Sequence, residues 1–169
     1  MKRIIFEGPD GCGKTTLSQI ISDIYNIPVY TSPHRHKIDK NETLLLNILK
    51  WGIPEQLQLI QTCDSKIIYD RFFPSEFVYS SVYKRKTDKN LIFKYDKWWN
   101  DLGGVIIFLD KPCMEVNDHL VEKKYYQQIR KKYQEYKELT VCPYITIDST
   151  SESVQEQLTQ ILKLLKDNN

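Results

Sequence analysis

The sequence is notable first for what it lacks. No apolar run approaches the ~18 residues a membrane-spanning helix needs; the purest is 105–109. Neither sign of charge dominates: 24 Lys+Arg stand against 22 Asp+Glu, and a net charge of +2 gives no general attraction to nucleic acid or an acidic membrane. The four cysteines (Cys12, Cys63, Cys113, Cys142) form no CxxC pair. That excludes a zinc knuckle or disulfide scaffold and points to free thiols in a reducing cytoplasm. The apolar start after Arg3 stops at Glu7, so no secretory leader is expected. Repeats, low-complexity tracts and Gly/Ser linkers are absent, so residues 1–169 are expected to form a single domain. Alanine is absent, and 5 Arg accompany 19 Lys and 19 Ile, a bias of an AT-rich coding sequence rather than of chemistry. What remains, 41% hydrophobic and 27% charged, is the composition of an ordinary globule.

Five short runs rich in branched residues read as buried strands: 3–6, 28–31, 66–69, 105–109 and 144–147. Helical patterns lie between them. Residues 14–25 carry Leu17, Ile20, Ile21 and Ile24 on one stripe. Residues 41–50 and 54–62 read as a pair of helices separated at Gly52, followed by 74–84, 91–102, 120–139 and 151–166. On 120–139 the core stripe is expected at Tyr125, Ile129, Tyr133 and Tyr136. Strands alternating with helices, each strand buried on both faces, predict a three-layer α/β fold with a parallel sheet.

Residues Gly8-Pro9-Asp10-Gly11-Cys12-Gly13-Lys14-Thr15 fit the phosphate-binding pattern G-x-x-x-x-G-K-[ST] at every fixed position, between a strand and an amphipathic helix. Three of the chain's six glycines fall within these eight residues. A backbone that wraps a phosphate must present consecutive N–H groups in conformations a Cβ forbids, and the helix start adds unpaired donors. Lys14 would serve the β/γ-phosphates of ATP, the Thr15 hydroxyl would ligate Mg²⁺, and Thr16 continues the site into the helix. Cys12 sits among N–H donors that would lower its pKa, or is merely a small residue the loop tolerates. A base-reading Asn-Lys-x-Asp motif is absent, which excludes a GTPase, and 169 residues are few for a motor; a small kinase is the economical reading.

Asp70-Arg71-Phe72 follows the third strand, at the sheet edge where the phosphate loop also lies. Asp70 could face Mg²⁺ while Arg71 forks onto a second phosphate. With these residues in view, the chain resembles the thymidylate kinase family of P-loop nucleoside monophosphate kinases. The resemblance rests on residues 6–17, on 70–80 as a D-R-[YF]-x-x-S-x-x-x-Y segment, and on the aromatic–arginine–tyrosine pattern of 125–133. It implies a five-stranded parallel sheet, often in a homodimer, and transfer of the ATP γ-phosphate to a deoxynucleoside monophosphate, dTMP foremost. Asp10 would hydrogen-bond the acceptor's 3′-hydroxyl, Arg71 would clamp its 5′-phosphate, and Asp70 would stand in for the Walker B acid. Tyr79, one turn beyond Ser75, would occupy the space of a 2′-hydroxyl. No nucleic-acid or membrane partner is expected.

Three departures from the family stand out. Ser32-Pro33-His34-Arg35-His36 replaces its Arg-Glu-Pro-Gly, so Arg35 would take over the arginine's role or lie in a solvated turn. Glu76 occupies the place of an Asn, Thr or Gln near the base. The segment 110–125 is markedly shorter, so most of the arginine-bearing lid is missing. Trp51 lies near the family's base-stacking aromatic, or is a core or dimer contact. Lys84-Arg85-Lys86 and the run 94–99 read as a solvated helix face over packed tryptophans. Lys123, Gln127 and Arg130 form a separate stripe, so Lys123 and Arg130 would approach the transferred phosphoryl group in place of the lid arginine. Lys124, Lys131 and Lys132 would be ordinary solvated charges, and the alternative is that all five are. A deoxynucleoside kinase of related fold would need a carboxylate base after the second strand, and residues 31–37 contain none. A non-catalytic nucleotide-binding module would have no reason to keep Lys14, Thr15, Asp70 and Arg71 together.

Overall fold

The computed structural model describes residues 3–31, 42–112 and 123–167. Five strands, β1 (Arg3–Glu7), β2 (Val29–Thr31), β3 (Ile67–Asp70), β4 (Val105–Asp110) and β5 (Tyr144–Asp148), pair in parallel in the order β2-β3-β1-β4-β5. Helices follow the strands: α1 (Lys14–Tyr25), α2 (Glu42–Asn47), α3 (Ile53–Thr62), α4 (Phe73–Val82), α5 (Lys89–Asp101), α6 (Tyr126–Leu139) and α7 (Val154–Asp167). Successive side chains of a strand point to opposite faces, so neighbours on β1 serve different cores. Ile4 and Phe6 pack with Leu17 and Ile21 of α1 and Ile161 and Leu165 of α7. Ile5 packs with residues of α3, α4, α5 and α6 on the other face. The three-layer α/β expectation holds.

Burial on both faces is found for β1, β3 and β4 but not for the edge strands, since β2 and β5 each lack a neighbour on one side. Gly52 is not a break between helices. A π-helical turn, Ile48–Gly52, joins α2 to α3, and Gly52 itself is helical at φ −70°. The core stripe of α6 runs through Tyr126, Ile129, Tyr133 and Tyr136, and Tyr125, which ends a 3₁₀ turn at Lys123–Tyr125, packs half-buried against the same core. Ile24 of the α1 stripe is exposed at the last turn. The tryptophan-rich helix α5 behaves as read: Trp99 is fully buried while Lys94 and Lys97 face solvent. Its buried Asp96 accepts from Tyr136, Thr140 and the Val141 N–H, tying α5 to the turn before β5. No described helix is long and apolar enough to cross a membrane.

Candidate functional site

The carboxyl ends of β1, β3 and β4 open on one edge, as expected for ligand binding by an open parallel sheet. From β1 the chain leaves through Gly8, whose φ is +136°; a Cβ there would stand 2.1 Å from the Leu109 carbonyl oxygen of β4. Only glycine lets the loop start this close to the neighbouring strand. Gly13, at φ +82°, is the left-handed residue from which α1 begins, and Gly11 shares the sign at +78°. Lys14 is buried, its Nζ donating to the Pro9 carbonyl at 2.5 Å. Burial, helped by the nearby Arg71 cation and only partly offset by Asp10 and Asp70, lowers its pKa to about 7. An incoming triphosphate would restore the charge.

Thr15 Oγ1 donates to Asp70 Oδ2 at 2.6 Å, joining the loop to the end of β3. Asp70 is 2% exposed, and among the described residues its Oδ1 has no hydrogen-bond partner. A buried, unsatisfied carboxylate oxygen is costly, which asks for a partner from outside the protein. A hydroxyl beside a carboxylate is the hard oxygen set that Mg²⁺ takes when phosphates and water supply its other ligands, so the residues fit that ion. Thr16 lies exposed on the first turn of α1. Of the two readings of Cys12, the lowered pKa is not found. Its thiol lies 3.7 Å from the Tyr126 hydroxyl and burial pushes its pKa up, against any lowering by the loop's N–H groups.

The residue after Asp70 turns the corner into α4. Arg71 takes a left-handed backbone, φ +71°, and its N–H bonds the Phe6 carbonyl at 3.0 Å. Its guanidinium donates to Asp10 Oδ1 at 2.6 Å and to the Tyr133 hydroxyl at 2.8 Å, with Ser75 Oγ at 3.4 Å. The Tyr79 ring lies 5.2 Å from the guanidinium carbon, and the Tyr79 hydroxyl donates to Asp10 Oδ2 at 3.2 Å. Asp10, Arg71, Ser75 and Tyr79 thus meet in one cluster against the loop that carries Lys14 and Thr15.

Other expected residues lie apart. Glu76, on α4 beside Ser75, pairs at 3.4 Å with Arg85, and burial pushes its pKa up. Arg85 is therefore not in a solvated face. After Lys84, at φ +54°, the chain folds back so that the Arg85 N–H reaches the Ser80 carbonyl, leaving its side chain 10% exposed. Trp51 stands 72% exposed on the π-helical turn, and among the described residues no hydrogen bond or ring contact of the cluster reaches it. Arg35 falls outside the described residues, as does the side chain of Lys123. Arg130 grips both oxygens of Asp110, at the end of β4, at 2.7 Å each, which holds the Asp110 carboxyl below its usual range. Lys131 is exposed, Lys132 pairs with Glu135 at 2.5 Å, and Lys124 lies over the Tyr125 ring.

Two residues of the cluster escaped the reading of the sequence. Glu7 is fully buried behind Arg71, and the Tyr133 hydroxyl lies between them. The available signal for Glu7 was a lone acid ending an otherwise apolar strand directly before the loop. Tyr133 was read only as a core-stripe ring and as the end of the 125–133 pattern, whereas its hydroxyl enters the site.

No protein-family model matches the chain. Over 197 aligned residues it is 27% identical to a probable thymidylate kinase of Methanococcus maripaludis, covering 98% of this chain and 96% of the relative. A probable thymidylate kinase of Methanocaldococcus jannaschii is 28% identical, covering 96% and 95%. Among solved structures, the YorR protein of Bacillus subtilis, in complex with phosphorylated GDP, superposes with a TM-score of 0.75 at 20% identity, over 98% of this chain and 96% of its own. Deoxyadenosine kinase of M. mycoides with bound dCTP gives 0.64 at 17%, over 98% and 99%. Thymidylate kinase of Ehrlichia chaffeensis gives 0.54 at 22%, over 98% of each chain.

Proposed function

We propose that this chain, an ATP-dependent nucleotide kinase of the P-loop class, transfers the γ-phosphate of ATP to a deoxynucleoside 5′-monophosphate, with dTMP as the leading acceptor. One observation carries the reading: Arg71, a nearly buried cation held in place by Asp10 and Tyr133, stands at the same sheet edge as the phosphate loop. A fixed guanidinium beside the donor-phosphate site is what a second phosphate requires.

The chemistry asks little else. An acceptor phosphate oxygen is already anionic, so no strong base is needed, and positioning with charge neutralisation supplies most of the rate. Lys14 and the loop N–H groups would hold the donor phosphates, and Arg71 the acceptor phosphate. Asp10 would receive the 3′-hydroxyl, and the Tyr79 ring would fill the space of a 2′-hydroxyl. Arg35, Ser75, Glu76 and Trp51 would complete the acceptor side, and Lys123 and Arg130 would meet charge on the transferred group. Thr15 and Asp70 would hold Mg²⁺, which supplies charge neutralisation of the phosphates when bound. A homodimer in the cytoplasm, where ATP and reduced thiols coexist, belongs to the same reading; Cys12, Cys63 and Cys142 are free thiols.

The test is turnover of ATP with Mg²⁺ against a panel of nucleosides and monophosphates, scored by the product formed. Conversion of dTMP to dTDP with thymidine untouched is expected. Turnover of thymidine with none of any monophosphate would overturn the reading in favour of a deoxynucleoside kinase.

A further inference from the structure

We infer that Glu7 and Tyr133 are positioning residues that aim Arg71 at the acceptor phosphate, an inference that rests on the role of Arg71 proposed above. Glu7 ends β1 with a carboxylate that is 0% exposed. Burial pushes its pKa up, and the Arg71 charge with hydrogen bonds from Phe72, Ser75 and Tyr133 works against that. Oε1 accepts the Phe72 N–H at 2.8 Å and the Ser75 N–H at 3.3 Å. Oε2 accepts from Ser75 Oγ at 2.7 Å and from the Tyr133 hydroxyl at 2.9 Å. Four hydrogen bonds from three residues thus converge on this one side chain.

The first oxygen fixes the backbone around Arg71. A left-handed arginine is unfavourable and persists only where its surroundings over-determine it. Here the Arg71 N–H is tied to Phe6 and the next N–H, of Phe72, to Glu7. Helix α4 has no side-chain cap of its own at Phe72, so Glu7 supplies one from another strand. The second oxygen fixes the side chain. Glu7 and Arg71 stand 4.0 Å apart, too far for a direct hydrogen bond. The Tyr133 hydroxyl bridges them: its single proton goes to Glu7, so its lone pair must receive the Arg71 Nη1 proton at 2.8 Å. Nη2 is left on Asp10. The guanidinium plane is thereby set by three elements, β1, α6 and the phosphate loop. Strand pairing gives no reason for a charge at position 7, where an apolar residue would cost less. Its place in this bridge does.

Two variants separate aiming from mere structure. Glu7→Gln keeps an oxygen for the Phe72 and Ser75 N–H groups but loses the charge and the acceptor for Tyr133. Tyr133→Phe keeps the buried ring and removes only the bridge. The readout is calorimetric affinity for dTMP relative to thymidine, which isolates the phosphate contact, together with Tm and the KM for ATP. Arg71→Ala marks the floor of that ratio. In each of the two variants the dTMP preference is expected to fall by about tenfold toward that floor, with Tm and ATP KM nearly unchanged. If Arg71→Ala erases the preference while both other variants keep it, the inference is wrong and the reading of Arg71 stands. An equal loss of ATP and dTMP binding would show general loosening, which also overturns it. If Arg71→Ala keeps the preference, or the wild type shows none, the reading of Arg71 fails and takes the inference with it. Should Glu7→Gln not fold, Tyr133→Phe alone decides.

Discussion

At the scale of single residues, burial gives Lys14 a property that exposed lysines lack. Its pKa of about 7 means that the folded, ligand-free protein binds fewer protons than the unfolded chain between pH ~7 and the ordinary 10.5, so its contribution to stability grows as pH rises through that window. A triphosphate beside it reverses the preference. Binding of ATP at pH 8 is therefore expected to take up a proton, with uptake fading toward pH 6, as calorimetry in buffers of different ionisation enthalpy would read. Proton-neutral binding at pH 8 would show Lys14 already charged in the free protein. Tyr79 tests a different property. Its ring lies beneath Arg71 and its hydroxyl reaches Asp10, so truncation opens the sugar side of the cluster. Tyr79→Ala is expected to raise kcat/KM for ribonucleotide acceptors relative to deoxyribonucleotides, while Tyr79→Phe, which keeps the ring, leaves the ratio near wild type. An unchanged ratio in Tyr79→Ala would move the sugar discrimination elsewhere.

At the scale of elements, the junction of β1 with the phosphate loop and the helix α6 make separate demands. A methyl group at Gly8 would run into the β4 backbone, whereas one at Gly11 meets open space and bears only an unfavourable φ. Gly8→Ala is expected to cost ~2 kcal/mol or more in denaturant unfolding, against ~1 kcal/mol for Gly11→Ala. Similar small losses would mean that the strand yields easily. On α6, Arg130 is held on Asp110 at the end of β4, while Lys131 is exposed to solvent. Arg130→Ala and Lys123→Ala are each expected to lower kcat by ~10²-fold with little change in acceptor KM, and Lys131→Ala to do neither. Equal, small effects from all three would leave the stripe without a catalytic role. These elements also show what a sequence can and cannot reveal. The loop was legible because glycine spacing, Lys14 and Thr15 are local requirements of phosphate binding, and Asp70-Arg71 because a polar pair directly follows an apolar strand. Glu7, Tyr133 and the Asp110 grip on Arg130 depend on which strands and helices become neighbours, and no local pattern encodes that. Arg85 was misread for the same reason: its charge looked exposed until the turn at Lys84 folded it against Glu76.

At the scale of the whole molecule, the sheet order does the assembling. Placing β1 between β3 and β4 brings the phosphate loop, Asp70 with Arg71, and Asp110 to one edge, although they lie far apart in the chain. Donor and acceptor phosphates would then meet beside Lys14 and Arg71, which is the arrangement phosphoryl transfer needs. Arg71 is the hinge of that account, since it is the group assigned to hold the acceptor phosphate. The direct measurement is steady-state kcat/KM of Arg71→Ala with the wild type's best monophosphate acceptor at saturating ATP and Mg²⁺. A loss of ~3 kcal/mol, roughly 10²-fold, is expected from removing a bidentate charged contact. An Arg71→Ala enzyme within twofold of wild type would contradict it.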